Sequence, residues 1–288
     1  MNRAWNLRDL LRLDRMKLMG KPKISAFVIT FNEAKKLVAC IESLLWVDEI
    51  IVVDDYSSDG TAEICERYDK VKLYRNKFTG FKDQKSFAAS LANNDWVLEL
   101  DADERVSEEM KREVQAITSS DFSAFDAFAF RRITNFWGKW IKHTSMYPDY
   151  KTRLYNKRKG GWSDGNIHER FIPLGNTRKI HADIIHDQDL DLHTFLKRTA
   201  RYSEMSAGDM FASGKRAKWH HFTIRPVYTL VYRYFVRLGF LDGIQGFVIS
   251  VMGGIGTFVK YMTLYELQSG VRDPSRDSRP VTFQLTNK

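Results

Sequence analysis

Apolar and polar positions along this chain follow two rhythms. Residues 24–30 form a continuous apolar run of strand length, residues 33–45 repeat apolar side chains at helical spacing, and residues 49–53 form a second apolar run. The order then recurs. A turn at Ser57-Ser58-Asp59-Gly60, with Asp59 as cap, predicts a helix reaching Arg67, followed by a strand over 71–74, a helix over 83–92 and a strand over 96–100. Such alternation predicts an α/β domain whose mainly parallel sheet carries helices on both faces and binds ligands at the carboxyl ends of its strands.

The two ends of the chain read differently. In residues 1–20, Arg3, Arg8, Arg12, Arg15 and Lys17 interleave with Leu7, Leu10, Leu11 and Leu18, a basic amphipathic helix rather than a signal peptide. It would lie on an anionic membrane surface or dock on the fold, and Gly20-Lys21-Pro22 ends it. Beyond His186 the pattern turns helical. Lys197, Arg198, Arg201, Lys215, Arg216 and Lys218 precede residues 222–241, an aromatic and aliphatic stretch punctuated by Arg225, Arg233 and Arg237. Residues 243–259 carry no charge, but they sit at the lower edge of a spanning length and contain five glycines and Gln245. They are expected to lie at an interface or pack on the preceding helix, not to span. After Ser269 a polar, poorly ordered tail is expected.

Polar clusters mark three strand ends: Thr30-Phe31-Asn32-Glu33, Asp54-Asp55 and Asp101-Ala102-Asp103. In a parallel sheet they converge on one crevice. Asp101 and Asp103, two apart, would point the same way from an extended segment, while Asp95 and Glu99 lie too far back to join them. Two hard oxygen ligands with open positions suit Mg2+ or Mn2+ carrying a phosphate. An acidic turn before a helix capped by Ser107, with Glu108 and Glu109 on the helix dipole, explains the same residues without a metal. No GxGxxG follows the first strand and no GxxxxGK[ST] occurs, so neither a dinucleotide site nor a P-loop is supported.

Composition narrows the partners. The chain has 288 residues, 43% of them hydrophobic, which is enough for a core, and a net charge of +9 that favours an anionic partner. Cys40 and Cys65 form no CxxC, consistent with a reduced cytoplasmic protein. The seven histidines form no zinc pattern. Between 125 and 185 aromatic and basic residues mix, and Arg131, Arg132, Trp137, Tyr147, Asp149 and Arg153 make a wall suited to a sugar acceptor bearing phosphate.

Three ordered motifs carry a resemblance: Phe27-Val28-Ile29-Thr30-Phe31-Asn32-Glu33, then Val52-Val53-Asp54-Asp55-Tyr56-Ser57-Ser58-Asp59-Gly60-Thr61, then Leu98-Glu99-Leu100-Asp101-Ala102-Asp103-Glu104. Together they resemble the family 2 glycosyltransferases of GT-A fold, a Rossmann-like, mixed but mainly parallel sheet flanked by helices. With Gln84-Lys85, Arg131-Arg132, Tyr147-Pro148-Asp149, Arg153-Leu154, Ile167-His168-Glu169 and Lys197-x-x-x-Arg201-Tyr202-Ser203, the chain is similar to the bacterial glucosyltransferases of the lipopolysaccharide inner core. The resemblance implies inverting transfer of a hexose, glucose first, from a UDP-sugar to a lipid-linked glycan, assisted by Mg2+ or Mn2+. It implies that Thr30, Glu33 and one of Asp54 and Asp55 contact the nucleoside, that Lys85 lies near the diphosphate, and that Asp101 and Asp103 hold ribose and metal, with His186 completing the metal site. Asp149, Asp164, His168 and Glu169 are all candidate bases; the resemblance selects Glu169.

The organisation expected is an N-terminal segment (1–22), a catalytic domain (23–190) divided into a nucleotide-sugar part (23–106) and an acceptor part (107–190), a helical membrane-associating extension (191–269) and a tail (270–288). The expected location is the cytoplasmic face of the bacterial inner membrane, as a peripheral protein. Transfer to a polyprenyl phosphate is the enzymatic alternative. A basic nucleic-acid-binding protein is the alternative of another class, disfavoured because acidic strand ends would repel a polyanion.

Overall fold

The computed structural model describes residues 21–163, 170–188 and 190–272. The expected N-terminal amphipathic helix, the base candidates Asp164, His168 and Glu169, and the polar tail beyond 272 lie outside these described residues.

The first half is built as the polar and apolar rhythm predicts. Strand β1 (Ile24–Thr30), helix α1 (Ala34–Leu44), strand β2 (Glu49–Asp54), helix α2 (Thr61–Cys65), strand β3 (Val71–Arg75), helix α3 (Phe81–Leu91) and strand β4 (Trp96–Asp101) follow in order. β1 lies between β2 and β4, and β3 flanks β2, all parallel. Because successive side chains of a strand point to opposite faces, this buried sheet supplies two cores. Ala26, Val28, Ile50, Val52, Leu98 and Leu100 face α1, α2 and two later helices, α4 (Glu108–Ala116) and α5 (Ser119–Ala124). Phe27, Ile29, Ile51, Val53 and Val97 face α3 and Phe171. Each fully buried Val, Leu, Ile or Phe contributes about 1.5–3 kcal/mol.

Capping follows the sequence with one change. Ser107 accepts a hydrogen bond from Met110 N at 3.1 Å and starts α4. Asp59 accepts from Thr61 N at 3.2 Å with one oxygen and from Ala34 N at 2.9 Å with the other, so it ties the starts of α1 and α2 together. The helix it opens stops at Cys65, short of Arg67.

The second half turns the sheet mixed. Strands β5 (Glu104–Val106), β6 (Ala127–Phe136), β7 (Lys139–Ile141), β8 (Asp149–Asn156), β9 (Gly160–Trp162), β10 (Phe171–Pro173) and β11 (Thr177–Gln188) complete the set. The long sheet runs β3-β2-β1-β4-β8-β6-β11-β5, with β7 attached to β6, and β9 pairs with β10 separately. β8 is antiparallel to both β4 and β6, whereas β11 is parallel to β6 and antiparallel to β5. Asp103 falls in the turn between β4 and β5 rather than in the extended segment expected from its spacing to Asp101.

Three helices follow among the described residues: α6 (Leu192–Ala212), α7 (Trp219–Val231) and α8 (Gly243–Ser269). A π turn (Tyr232–Val236) and a 3-10 turn (Gly239–Asp242) join the last two. α8 meets that 3-10 turn closely, since a Cβ on Gly246 would lie 1.9 Å from the Gly239 carbonyl. It runs past the uncharged stretch 243–259 to Ser269, and the segment Gly239–Ser269 is long and apolar enough to cross a membrane by length and composition. Ile249, Met252, Leu264 and Leu267 of α8 are buried.

Candidate active site

The strand ends are level because the register makes them so: Thr30 is opposite Asp54, and Ile29 opposite Asp101. Above them opens a cavity of about 1370 Å3, walled on one side by the strand ends and on the other by α6, the π turn and α8. Thr30, Glu33, Asp55, Lys85, Asp101, Asp103 and His186, expected to hold donor and metal, all line it. Asp54 does not line it.

The two adjacent aspartates part company. Asp54 is buried and accepts from Ser57 N at 3.0 Å and from the Ser57 hydroxyl, which fixes the loop after β2. Burial raises its pKa, with the Ser57 bonds opposing. Ser57 Oγ also accepts from Asn32 N at 2.8 Å, so this aspartate braces both strand-end loops. Asp55 faces the cavity, with one carboxylate oxygen taking Phe78 N at 2.9 Å. Thr30 Oγ1 beside it is buried with no partner among the described residues, a polar atom available to a ligand. Glu33, at the start of α1, has its pKa raised by burial, opposed by Lys36 at 3.6 Å.

Beneath the cavity floor lies a charge cluster that local spacing did not reveal. Arg153 on β8 reaches Glu99 at 2.6 Å, Asp101 at 2.7 Å and Glu104 at 2.6 Å. Lys85 on α3 reaches Glu99 at 2.8 Å and Asp101 at 3.6 Å. Arg132 on β6 bridges Glu104 at 3.5 Å and Asp149 at 2.8 Å. Glu99, set aside above as too far back, thus anchors the cations that hold Asp101. Burial pushes the Asp101 pKa up, but Arg153 and then Lys85 outweigh it and keep the carboxylate well below its usual range.

The remaining acceptor-wall candidates divide. Arg132, Asp149 and Arg153 line the cavity, but ion pairs already engage them. Arg131 and Tyr147 instead converge on Asp183, at 2.9 and 3.0 Å; burial and that bond push the Tyr147 hydroxyl up to about 12. Trp137 stacks on Phe136, and its indole N–H donates to Leu190 O at 2.7 Å. The structure does not bring Arg131, Tyr147 or Trp137 to the cavity. It brings residues of the helical wall instead, among them Arg198, Tyr202, Arg233 and Lys260. Helical periodicity hinted at these positions, but nothing local said which helix face would meet the sheet.

Asp103 and His186 meet because β5 pairs with β11, placing His186 opposite Glu104, and Asp187 N donates to Asp103 O at 3.2 Å. Asp103 Oδ2 stands 3.2 Å from His186 Nε2, while Thr134 Oγ1 lies 3.3 Å from Nδ1. Burial raises the Asp103 pKa, and the bond to His186 more than reverses it. An ion held at about 2.1 Å by two ligands at right angles separates the ligand atoms by about 3 Å, so this pair fits a shared ion, with Thr134 orienting the ring. Among the described residues no three His, Cys, Asp or Glu side chains form an ion-holding group. An ion at this pair would have to complete its shell from water and phosphate oxygens, as Mg2+ and Mn2+ do.

A family model described as glycosyl transferase family 2 matches residues 25–174, just over half of the chain. An uncharacterized glycosyltransferase of Rickettsia conorii is 29% identical over 85% of this chain and 90% of its own length. LpsC of Rhizobium meliloti, described as a lipopolysaccharide core biosynthesis glycosyltransferase, is 26% identical over 90% of this chain and 98% of its own. Among solved structures, TarS residues 1–349 of S. aureus in complex with UDP-GlcNAc aligns at 14% identity and a TM-score of 0.44, covering 86% of this chain and 92% of that one.

Proposed function

The chain belongs to glycosyl transferase family 2, and from that premise we propose that it transfers a hexose, glucose first, from a UDP-sugar to a lipid-linked glycan of the lipopolysaccharide core, with inversion. The observation that carries this reading is the single cavity onto which Thr30, Asp55, Asp101, Asp103 and His186 all open. The description of the R. meliloti relative, which spans nearly its whole length, supports the acceptor class.

In this reading Thr30, Glu33 and Asp55 face the nucleoside, and Asp101, kept ionised by Arg153 and Lys85, accepts hydrogen bonds from ribose hydroxyls. Asp103 and His186 would hold Mg2+ or Mn2+, which when bound supplies positive charge to the leaving diphosphate. Arg198 also lines the cavity, which supports a role for its charge beside the diphosphate. Glu169 takes the proton of the attacking acceptor hydroxyl. The residues that flank its segment support this: Ser163 and Arg170 both line the cavity and join through Ser163 N to Arg170 O at 2.9 Å.

Attachment to the cytoplasmic face of an anionic membrane fits the outer surface of the helical wall. There Val227, Tyr228, Phe235, Val236, Ile244 and Phe247 are exposed, and Lys142, Lys218 and Arg237 are exposed as well. A thermal-shift panel of nucleoside diphosphate sugars tests the proposal. UDP-sugars should raise the melting temperature in Mn2+ and much less in EDTA; no shift with any nucleotide sugar, with or without the ion, would refute it.

A further inference from the structure

Arg233 differs from the two arginines that the sheet brings to the cavity. Arg132 and Arg153 are held by carboxylates, whereas Arg233, on the π turn between α7 and α8, forms no ion pair and no side-chain hydrogen bond among the described residues. It is half-buried, and burial pushes its guanidinium below its usual range with no carboxylate opposing. Its seat is prepared by Gly253 of α8: a Cβ there would stand 2.8 Å from Nη1 and 2.9 Å from Cζ. Lys260, two turns further on, lines the same cavity with Gly253, Gly256 and Thr257 between them along one helix face. Lys260 also has no ion pair among the described residues; its ammonium lies 5.1 Å from the Tyr261 ring centroid. A partly desolvated guanidinium without a counter-ion costs free energy that a bound anion would return.

The seat of this anion is built from other elements than the donor side: Arg233 stands on the π turn against Gly253 of α8, whereas Asp101 ends β4 and Asp103 lies in the turn that follows it. Next to Arg233 in the chain, Phe235 and Val236 are exposed on the apolar outer surface, so the residue stands where that surface turns inward to the cavity. We propose that Arg233, seated on Gly253 and assisted by Lys260, binds a phosphate group carried by the lipid-linked glycan acceptor. This rests on the acceptor class proposed above and adds that the acceptor is recognised by a phosphate, at a site separate from the UDP-sugar.

Binding distinguishes the alternatives without needing turnover. The probes are micellar short-core lipopolysaccharide with its phosphates, the same material dephosphorylated with hydrofluoric acid, phosphatidylglycerol vesicles, and UDP-glucose with Mn2+, each titrated against wild type, Arg233→Gln and Arg233→Lys. Wild type should favour the phosphorylated glycolipid. Arg233→Gln should lose about 10- to 100-fold in affinity for it, the range of one charge-assisted hydrogen bond. The variant should lose nothing for the dephosphorylated form or for UDP-glucose, and Arg233→Lys should fall between. Gly253→Ala, which displaces the guanidinium from its seat, should reproduce the defect with the arginine present. Equal wild-type binding of the two glycolipids, or an Arg233→Gln variant that keeps the preference, overturns the proposal. A loss confined to UDP-glucose would move Arg233 to the donor site, and a matching loss on phosphatidylglycerol would make the ligand a bilayer phospholipid; either result also overturns it. Failure of the glycosyltransfer reading would appear separately, as wild type that does not bind UDP-glucose.

Discussion

Replacing Arg153 by Met removes one guanidinium that meets three carboxylates within 2.7 Å, Glu99, Asp101 and Glu104. Two of those partners, Glu99 and Glu104, are 2% and 1% exposed, so water cannot take over the lost bonds. Lys85 would remain on Glu99, and Arg132 at 3.5 Å on Glu104. Breaking a buried ion pair by deleting one partner costs about 3–5 kcal/mol, a large share of the roughly 5–15 kcal/mol that holds a domain folded. The loss should depend on pH. In the wild type the Asp101 pKa is depressed, so its stabilisation is present above the unfolded value of about 3.9 and is lost as pH falls below it. In the variant Asp101 loses the guanidinium that outweighs its burial, so its folded pKa rises and the penalty grows as pH rises through it. Urea unfolding followed by tryptophan fluorescence should therefore show a larger deficit at pH 8 than at pH 5. Arg178→Met, which breaks the exposed pair with Asp121, is the control and should cost under about 1 kcal/mol. A deficit for Arg153→Met no larger than the control, or one equal at both pH values, would refute the assignment of this arginine as the organiser of the cavity floor.

Three further outcomes are expected. Asp103→Ala should weaken UDP binding in Mn2+ by calorimetry while leaving affinity in EDTA unchanged, because the variant removes the carboxylate proposed to hold the ion; unchanged affinity in Mn2+ would sink the metal assignment. Glu169→Gln should keep UDP-sugar affinity and lose at least about a hundredfold in transfer rate, the lower end of what a general base contributes; near-normal turnover, or the same loss from Asp164→Asn alone, would show another base. Liposome flotation should give salt-sensitive binding to anionic vesicles, each basic residue near the surface adding about 1 kcal/mol; equal binding to neutral vesicles would argue against an electrostatic docking face.

The alternation of strands and helices, the two faces of the buried sheet and the Ser107 cap were set by the sequence itself. Period two and period 3.6 are local properties of a chain that must bury apolar side chains, and they survive whatever the strand order. The meeting of acidic strand ends also followed from the sequence, since parallel strands put their carboxyl ends on one edge. Which acid does what was decided only by tertiary structure. Asp54 and Asp55 are adjacent, yet one turns in to brace Ser57 and the other faces the cavity, a choice made by where β2 ends against β1. Asp103 lies 83 residues from His186, and only the pairing of β5 with β11 brings them together. Arg153 read locally as an acceptor ligand, but β8 inserts beside β4 and carries it over Glu99, 54 residues away. Arg233 gave no local signal beyond its charge, because its seat is the absence of a side chain at Gly253 on another helix. Secondary structure answers to neighbours in the chain, whereas the partner of a buried charge is set by strand order and register across the whole sheet, and no local window of sequence contains that information.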